Sequence, residues 1–282
     1  MISVATKEKV RNECFQAELY IDHANERIRV DEFRGDPKKL LIELEQMRQE
    51  KPFTKLIIYA KPTQWQRLLP LGFELEAIFK GYFNGVDNYA MCRFFTNERK
   101  NCGDWIAEDQ IMEGVLNKPI SKGNKDLPPG YQLRRANQAD IEALASFYAR
   151  IFSSYPVPIS EPAYLQKLMS AGAIFYLATF EAEIVCAASA DVNAVFHNAE
   201  MTDCATDPAH RQYGLIKHLI KLIERELYSD RILSTYSIAR ANSFGMNSAL
   251  HQLGYEYQGR LTNNCFMEGA YENLNVWVKN QH

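Results

Sequence analysis

The segment that most limits how this chain can fold runs from Glu200 to Glu226 and reads EMTDCATDPAHRQYGLIKHLIKLIERE. It begins as a strand that ends at Thr206. Asp207-Pro208 then predicts a turn, because proline fixes φ near the value that turns use. Residues Leu215 to Tyr228 follow as an amphipathic helix, with apolar side chains at helical spacing. A strand that passes through a turn directly into a helix is typical of α/β sheets.

The turn and the start of this helix have the features of a diphosphate site. Backbone N–H groups at a helix start lack intrahelical acceptors, and the helix dipole is positive there. Gly214 lets the backbone approach phosphate oxygens without a Cβ in the way. Arg211 can add charge-assisted hydrogen bonds. An R-x-x-G tetrapeptide alone is weak evidence, because an ordinary capped turn can have the same sequence.

The elements around this segment strengthen the prediction. Apolar runs at Ile174–Phe180 and Ile184–Ala190 flank a short polar turn and predict a hairpin before it. Periodicity predicts the remaining elements of the second half as strands at Tyr131–Arg134, Ile232–Ser237 and around Tyr257 and Val276, and helices at Asp140–Phe152, Glu161–Ser170 and Ser243–Leu253. Together they predict a mixed α/β sheet.

The stretch SKGNKDLPPG at residues 121–130 concentrates Gly, Pro, Ser and Asn without apolar periodicity. We therefore predict an N-terminal α/β domain over 1–120, a linker over 121–130 and a second domain over 131–282. In the first half, LGFELEAIFKGYFNGVDNYAM is similar to LGYEYQGRLTNNCFMEGAYENLNV near the end of the chain. Two explanations stay open: a degenerate duplication, or two hairpins with similar turn residues.

Charge and composition limit the kinds of partner that this protein is expected to bind. The 32 basic and 35 acidic residues are interspersed and give a net charge of −3, which argues against nucleic acid as the main partner. The sequence has neither an export signal nor an apolar stretch of the ~20 residues that span a bilayer. We expect a cytoplasmic protein with no membrane partner. The six cysteines and six histidines form no metal-ligand spacing, so no metal is expected.

In element order, Tyr131 to Lys279 resembles the GNAT superfamily of acyl-CoA N-acyltransferases. The superfamily motif R/Q-x-x-G-x-G/A is matched by RQYGLI, except that Ile216 stands where a small residue is usual. The resemblance implies an acetyl-CoA diphosphate site at the motif residues Arg211, Gln212, Tyr213, Gly214, Leu215 and Ile216. It also implies that the preceding strand splays from its neighbour, and that backbone groups of Ala205 and Thr206 pair with pantetheine.

More narrowly, the chain resembles the beta-lysine N-acetyltransferase family in the strings EMTDCAT, ARANSFGMNSALHQLGY, GRLTNN, ENLNVWVK and GYFNGVDNYAM. That resemblance implies transfer of an acetyl group from acetyl-CoA to the terminal amine of beta-lysine. Three alternatives stay open: transfer to another small primary amine, a non-catalytic acyl-CoA-binding sensor, and a tandem transferase of aminoacyl groups. A small-molecule amine is the expected partner, and a homodimer is one possible assembly.

An alkyl ammonium titrates near ~10.4, so its deprotonation calls for a carboxylate. Glu200 is the first choice, since its position resembles that of the catalytic glutamate in histone-acetylating GNAT members, and Asp203 is the second. Strand alternation places the two on opposite faces unless a bulge intervenes. Many GNAT enzymes protonate the leaving thiolate with a tyrosine, and Leu250 occupies the corresponding position in this sequence. His251 and Tyr255 are nearby residues that could donate the proton instead.

A carboxylate on the substrate favours an arginine fork in a partly dry pocket. Arg240 follows a predicted strand, and ligands of α/β sheets gather beyond the C-terminal ends of strands. The substrate-binding candidates are Arg240, Tyr236 and Asn263, with Arg134 and Arg260 as weaker arginines and Tyr82, Asn84 and Asp87 as residues of a lid.

Overall fold

The computed structural model describes residues 5–121 and 126–280, so residues 122–125 of the predicted linker lie outside the described part. The first half contains β1 (Ala5–Arg11), β2 (Phe15–Asp22), β3 (Arg27–Gly35), α1 (Pro37–Glu50), β4 (Lys55–Ala60), α2 (Trp65–Leu68), β5 (Glu74–Phe83), β6 (Val86–Phe94), α3 (Asn97–Lys100) and α4 (Trp105–Leu116). The second half contains β7 (Tyr131–Arg135), α5 (Ile141–Ile151), α6 (Pro162–Ser170), β8 (Ile174–Phe180), β9 (Glu183–Asn193), β10 (Asn198–Thr206), α7 (Leu215–Ser229), β11 (Ser234–Arg240), α8 (Phe244–Gln252), β12 (Glu256–Met267) and β13 (Ala270–Asn280).

One sheet runs through both halves. In the described ranges, thirteen strands lie in the order β1-β2-β3-β4-β6-β5-β12-β13-β11-β10-β9-β8-β7. The pairs β3–β4 and β10–β11 are parallel, whereas the remaining neighbours are antiparallel. The two halves join where β5 pairs with β12, at Ala77 and Gly259. The predicted mixed α/β fold is therefore confirmed.

The two halves have the same strand order around this junction. Each has an antiparallel meander, then a strand–helix–parallel strand unit (β3-α1-β4 and β10-α7-β11), then a short helix and a hairpin (β5-β6 and β12-β13). Both hairpins also have the same irregularity, since the register shifts between Leu75 and Ala77 in one and between Tyr257 and Gly259 in the other. This topology favours a degenerate duplication over two unrelated hairpins.

Apolar side chains pack on both faces of the sheet. In the first half, Leu40 and Leu44 of α1 lie in one core with the inward residues of β2, β3 and β4. In the second half, the apolar stripe of α7 packs against β8, β9 and β10. Met112 and Val115 of α4 belong to that second core, so α4 packs with the second half although it precedes the linker. None of the helices in the described ranges has the length and hydropathy of a bilayer-spanning segment.

A third core lies between the two halves and includes an aromatic cluster formed by Tyr59, Phe79, Tyr82 and Tyr236. The ring centroids of Tyr82 and Tyr236 lie 5.7 Å apart, and those of Phe79 and Tyr236 lie 5.1 Å apart. Side chains of the first half therefore reach β11, which is a central strand of the second half.

The bounds predicted for one strand are wrong. The expected strand at Ile232–Ser237 is observed as β11 at Ser234–Arg240. Arg231 adopts a positive φ of 61°, and the Ile232 N–H donates to the Leu227 carbonyl at 2.9 Å. This is how a helix closes through a left-handed residue. Ile232 is buried in the core of the second half, but it lies at the end of α7 and not in a strand. An apolar run in the sequence does not distinguish a buried helix end from a buried strand.

The junction between the halves generates a stability prediction for Gly259→Ala. Gly259 has a φ of 130°, and an added Cβ would lie 2.2 Å from the Glu76 carbonyl oxygen and 2.7 Å from the Ala77 Cα. Because backbone atoms cannot move aside cheaply, we expect a loss of about 2–3 kcal/mol in the free energy of unfolding, measured in urea. Gly103→Ala is the control, since its Cβ would meet no atom within 4 Å. Equal unfolding midpoints for the two variants would contradict the close approach of β5 and β12.

Candidate active site

The second half of the sheet opens between β10 and β11. The two parallel strands pair at residues 198–200, which face residues 234–236, and in the described structure their registered pairing ends there. The Ser237 hydroxyl donates to the Met201 carbonyl at 2.7 Å, just beyond the last pair. β10 then continues to Thr206 and β11 to Arg240, so one backbone edge of β10 faces a cleft.

The cleft has a volume of about 580 Å³. It runs along β10 from Met201 to the turn before α7, and Tyr155 from the α5–α6 segment lines it as well. Most of the predicted cofactor residues line this cleft: Ala205, Thr206, Arg211, Gly214, Leu215 and Ile216. Gln212 and Tyr213 do not, and the Tyr213 ring packs on Tyr131 instead, with 5.5 Å between centroids. Their role in diphosphate binding stays a prediction that concerns their backbone N–H groups.

The turn before α7 suits an anion. It consists of a 3₁₀ helix at Pro208–Tyr213 followed by Gly214, whose φ of 67° is one that residues with a Cβ rarely adopt. α7 then begins at Leu215 with no side-chain cap. The first N–H groups of a helix have no intrahelical acceptor and carry partial positive charge. Arg211 is exposed beside them, and its Nε donates to the Thr206 carbonyl at 3.3 Å.

A bulge in β10 brings the two predicted carboxylates onto one face of the sheet. Asp203 and Cys204 together oppose a single residue of β9, and Asp203 has a positive φ of 48°. The Asp203 carboxylate accepts hydrogen bonds from the Ser189 hydroxyl at 2.6 Å and from the Tyr155 hydroxyl at 3.0 Å. Ser189 lies on the face of the sheet that carries Glu200. Strand alternation predicts opposite faces unless a bulge intervenes, and a bulge does intervene.

Glu200 is the last residue of β10 that pairs with β11, and its side chain is partly buried. Burial is the main cause that raises the pKa of Glu200 to about 7, and Asp191 and Asp203 raise it further. Arg29 and a hydrogen bond from Tyr236 act in the opposite direction and lower this pKa. A carboxyl group with a pKa near 7 can accept a proton at neutral pH. No group of three or more His, Cys, Asp or Glu in the described ranges is arranged to hold a metal ion.

Sequence reasoning missed the residues of the first half that reach this site. Arg29 lies on β3 and Tyr59 on β4, and Tyr59 is joined to Tyr236 through Tyr82, with ring centroids 5.4 Å and then 5.7 Å apart. Of the predicted lid residues only Tyr82 lies here. Asn84 and Asp87 instead make hairpin and turn contacts, to His197 and Gly81. No local motif marks Arg29 or Tyr59, because their contacts cross between halves of the chain.

Sequence relatives decide the family. N-acetyltransferase YodP of Bacillus subtilis is 34% identical over 272 residues, which cover 96% of this chain and 98% of that protein. A beta-lysine N(6)-acetyltransferase of Methanosarcina mazei is 33% identical over 245 residues, which cover 80% of this chain and 90% of that protein. The chain belongs to the family of the beta-lysine N-acetyltransferases. It is an N-acetyltransferase. No protein-family model matches the sequence.

Solved acetyltransferase structures superpose on about half of the chain. A ribosomal-protein-S18-alanine N-acetyltransferase from Escherichia coli has a TM-score of 0.47 at 15% identity and covers 53% of this chain and 93% of its own. A ribosomal L7/L12 α-N-protein acetyltransferase in complex with coenzyme A has a TM-score of 0.47 at 14% identity and covers 55% and 96%. The family assignment rests on the sequence relatives alone.

In this beta-lysine N-acetyltransferase family member, the arginines predicted to bind a substrate carboxylate are occupied by carboxylates of the chain. Arg240 lines the cleft, but its guanidinium contacts both oxygens of Glu272 at 2.5 Å. Arg134 and Arg260 are likewise paired with acidic side chains of the protein. An arginine whose fork is already bidentate has little left for a ligand. Substrate binding by Arg240 stays a prediction, and it would require Arg240 to release Glu272.

Asn263 lies outside the cleft, which corrects its expected role in substrate binding. Its side chain is buried, and Nδ2 lies 3.1, 3.1 and 2.9 Å from the carbonyl oxygens of Glu98, Arg99 and Asn101. Its backbone N–H donates to Asn273 Oδ1 at 2.7 Å. Asn263 therefore holds α3 and the following residues against β12.

The residues considered as proton donors to the thiolate do not line the cleft either. Leu250 is fully buried in the core of the second half. His251 Nε2 lies 2.8 Å from the Lys118 carbonyl oxygen, and the Tyr255 hydroxyl lies 3.3 Å from that of Thr235. Both side chains therefore have structural partners within the protein.

The role of Asn263 generates a second prediction. Asn263→Ala removes the donor that three carbonyl groups share, one of them on the buried residue Arg99, so we expect the free energy of unfolding to fall by about 1–3 kcal/mol. Turnover per folded molecule should stay unchanged. Asn101→Ala, an exposed neighbour in the same loop, is the matched control and should change stability by less than about 0.5 kcal/mol. A raised KM for the amine with unchanged stability in Asn263→Ala would restore the original assignment.

Proposed function

We infer that the protein transfers the acetyl group of acetyl-CoA directly to the N6 amine of beta-lysine, within a ternary complex. The observation that carries this inference is the open edge of β10, which leads from an uncapped helix start to a partly buried carboxyl group at Glu200. The names of the relatives support the choice of acceptor, since two of them are beta-lysine N(6)-acetyltransferases at 33% and 27% identity.

Each part of coenzyme A has residues along the cleft that suit its chemistry. The diphosphate suits the start of α7, where Gly214 gives access to the backbone and Arg211 adds positive charge. Pantetheine contains amide groups, which can pair with the backbone edge of β10 at Ala205 and Thr206 as an added strand would. The thioester then points toward the bulge and Glu200. Acetyl-CoA supplies the activated acyl group, and the chain's own residues orient it.

Glu200 is the proposed general base. The acceptor arrives as an ammonium ion and must lose a proton before its nitrogen can attack the thioester carbonyl. A carboxylate with a pKa of about 7 takes that proton more readily than an ordinary surface glutamate. Asp203 is bound by Ser189 and Tyr155, which suits it to holding the bulge in place.

Direct transfer is favoured over an acyl-enzyme intermediate. Cys204 is the cysteine in the cleft, and burial raises the pKa of its thiol well above the usual value. The thiolate is the nucleophilic form of cysteine, so a thiol held protonated is a poor acceptor for the acetyl group. The leaving thiolate of coenzyme A is protonated by water or by another group in the cleft, because Leu250 has no proton to give.

The other proposed functions predict different results in one assay. Thiol release from acetyl-CoA is measured with beta-lysine and a panel of polyamines and aminoglycosides as acceptors. Binding of acetyl-CoA without turnover on any amine would favour the sensor. The N-acetyltransferase relatives over nearly the whole chain disfavour both the sensor and the aminoacyl transferase. Assembly into a homodimer and a cytoplasmic location stay predictions.

Glu200→Gln tests the base. The amide cannot accept a proton, so we expect kcat to fall by about 10²- to 10⁴-fold. In the wild type, kcat/KM should rise with pH and level off above pH 7, because Glu200 must lose its proton to act. That step near pH 7 should disappear in the variant. Glu256→Gln, an exposed surface glutamate, is the control. A pH profile that Glu200→Gln leaves unchanged would remove Glu200 from the mechanism.

A pair of substitutions at Gly214 tests the diphosphate site. Asp and Asn have nearly the same shape and both tolerate positive φ, so Gly214→Asp and Gly214→Asn differ mainly in charge. Their Cβ would meet only the flexible end of Lys217, at 3.2 Å. We expect Gly214→Asp to weaken coenzyme A binding by at least about 100-fold relative to Gly214→Asn, because like charges in contact cost several kcal/mol. Calorimetric Kd values that agree for the two variants would contradict the assignment.

A further inference from the structure

The first half carries an unusual ion pair beside the aromatic cluster that contains Tyr59. Arg29 lies on β3 with its guanidinium carbon 4.9 Å from the Tyr20 ring centroid and 5.1 Å from that of Tyr59. Asp31 follows on the same face of the strand and accepts a hydrogen bond from Arg29 Nε. The two side chains are 28% and 23% exposed, so both reach solvent although they lie among aromatic rings.

This pair is only partly satisfied within the protein. The bond from Nε to Asp31 is the one hydrogen bond that Arg29 makes in the described ranges, so the two terminal nitrogens of its guanidinium have no hydrogen-bond partner there. Surface arginines such as Arg34 extend into water, with 77% of the side chain exposed. Charged groups withdrawn from water are costly unless they are paired and hydrogen-bonded. Arg29 and Asp31 are a cation and an anion that lie together in a partly buried position. Such a pair suits a ligand that carries both a negative and a positive charge.

A chain of aromatic contacts connects the pair with the proposed base. The rings of Tyr59, Tyr82 and Tyr236 form a continuous wall from Arg29 to β11, with successive centroids 5.4 and 5.7 Å apart. Tyr236 is the neighbour of Glu200 across the sheet. The positive charge of Arg29 also lowers the pKa of Glu200, which indicates that the two charges lie within electrostatic reach.

We propose that Arg29 and Asp31 bind the zwitterionic end of a beta-amino acid acceptor, with Arg29 on its carboxylate and Asp31 on its beta-ammonium group. The proposal rests on the function inferred above and adds the residues that select the acceptor. A guanidinium fork matches a carboxylate, and the adjacent carboxylate matches the ammonium group that stands close to it in a beta-amino acid. The aliphatic remainder lies along the tyrosine wall, and its terminal amine reaches Glu200.

Charge complementarity separates this acceptor from a polyamine. Asp191, Glu200 and Asp203 alone would suit any diamine, because each is an anion that can hold an ammonium group. Arg29 would repel a polyamine and attract a carboxylate. The first half of the chain therefore determines specificity, whereas the second half binds acetyl-CoA and performs the transfer.

Substrate analogues with single deletions test the two contacts separately. Beta-lysine amide lacks the carboxylate, and 6-aminohexanoate lacks the beta-ammonium group. In the wild type we expect kcat/KM for beta-lysine to exceed that for either analogue by about 10- to 100-fold, since each lost contact is a charge-assisted pair. Arg29→Gln should remove the preference over the amide, and Asp31→Asn the preference over 6-aminohexanoate. The loss of preference should lie in KM, with the Kd for coenzyme A unchanged. Because Arg29 lowers the pKa of Glu200, Arg29→Gln should also move the pH dependence of kcat to higher pH.

Arg34→Gln is the matched control, because it removes an exposed arginine from the same strand. A purely structural ion pair would instead lower the thermal stability of Arg29→Gln and reduce activity with beta-lysine and its amide by the same factor, and that result would overturn the proposal. If the wild type acetylates another amino acid but not beta-lysine, the inferred function fails, and the same comparison is made with that acid and its amide. A wild type that acetylates only amines without a carboxylate would overturn both.

Discussion

The separation of β11 from β10 after Glu200 is the constraint on which the chemistry of this protein depends. A parallel pair that stayed hydrogen-bonded along its whole length would expose no backbone edge and leave no space between the strands. The Ser237 hydroxyl satisfies the Met201 carbonyl at the point of divergence, so the opening does not begin with an unpaired buried group. The bulge at Asp203 then rotates the strand, so the departure from regular pairing that creates the cleft also turns a second carboxylate toward Glu200.

The charge on Glu200 is set by opposing influences from both halves. Burial and the neighbouring carboxylates favour the protonated form, whereas Arg29 and Tyr236 favour the ionised form. With burial alone, the carboxyl group would stay protonated at higher pH, where it could not act as a base. With Arg29 alone, it would be a weak base. The aromatic cluster keeps these groups in a fixed relation, because its rings pack edge to face across the junction of the halves.

Much of the second half could be predicted from the sequence because its signals are local. β8 at Ile174–Phe180 matches its predicted bounds to the residue, since a buried strand is a continuous apolar run. The turn before α7 was equally readable from its proline and glycine. The residues proposed to bind the substrate could not be predicted in this way. Arg240 follows a strand as a ligand residue would, but whether its fork is available depends on Glu272 in a neighbouring strand. No local motif marks Arg29 in the sequence. Its proposed role depends on Glu200, which is far away in the sequence and comes within electrostatic reach only in the folded protein.

The pairing of Ala77 with Gly259 has an evolutionary consequence. These residues occupy equivalent positions in the two similar hairpins, and an interface in which equivalent residues meet is the signature of a symmetric dimer. Fusion of two identical subunits into one polypeptide would leave this arrangement. The two halves differ at the turn that the proposed diphosphate site uses. Asp36-Pro37 leads straight into α1, with the Asp36 carboxylate capping the helix, whereas Asp207-Pro208 leads into the longer turn that ends at Gly214. An anionic cap at the start of α1 disfavours a diphosphate there. This difference fits the proposed division of work, in which the first half recognises the acceptor and the second half binds coenzyme A.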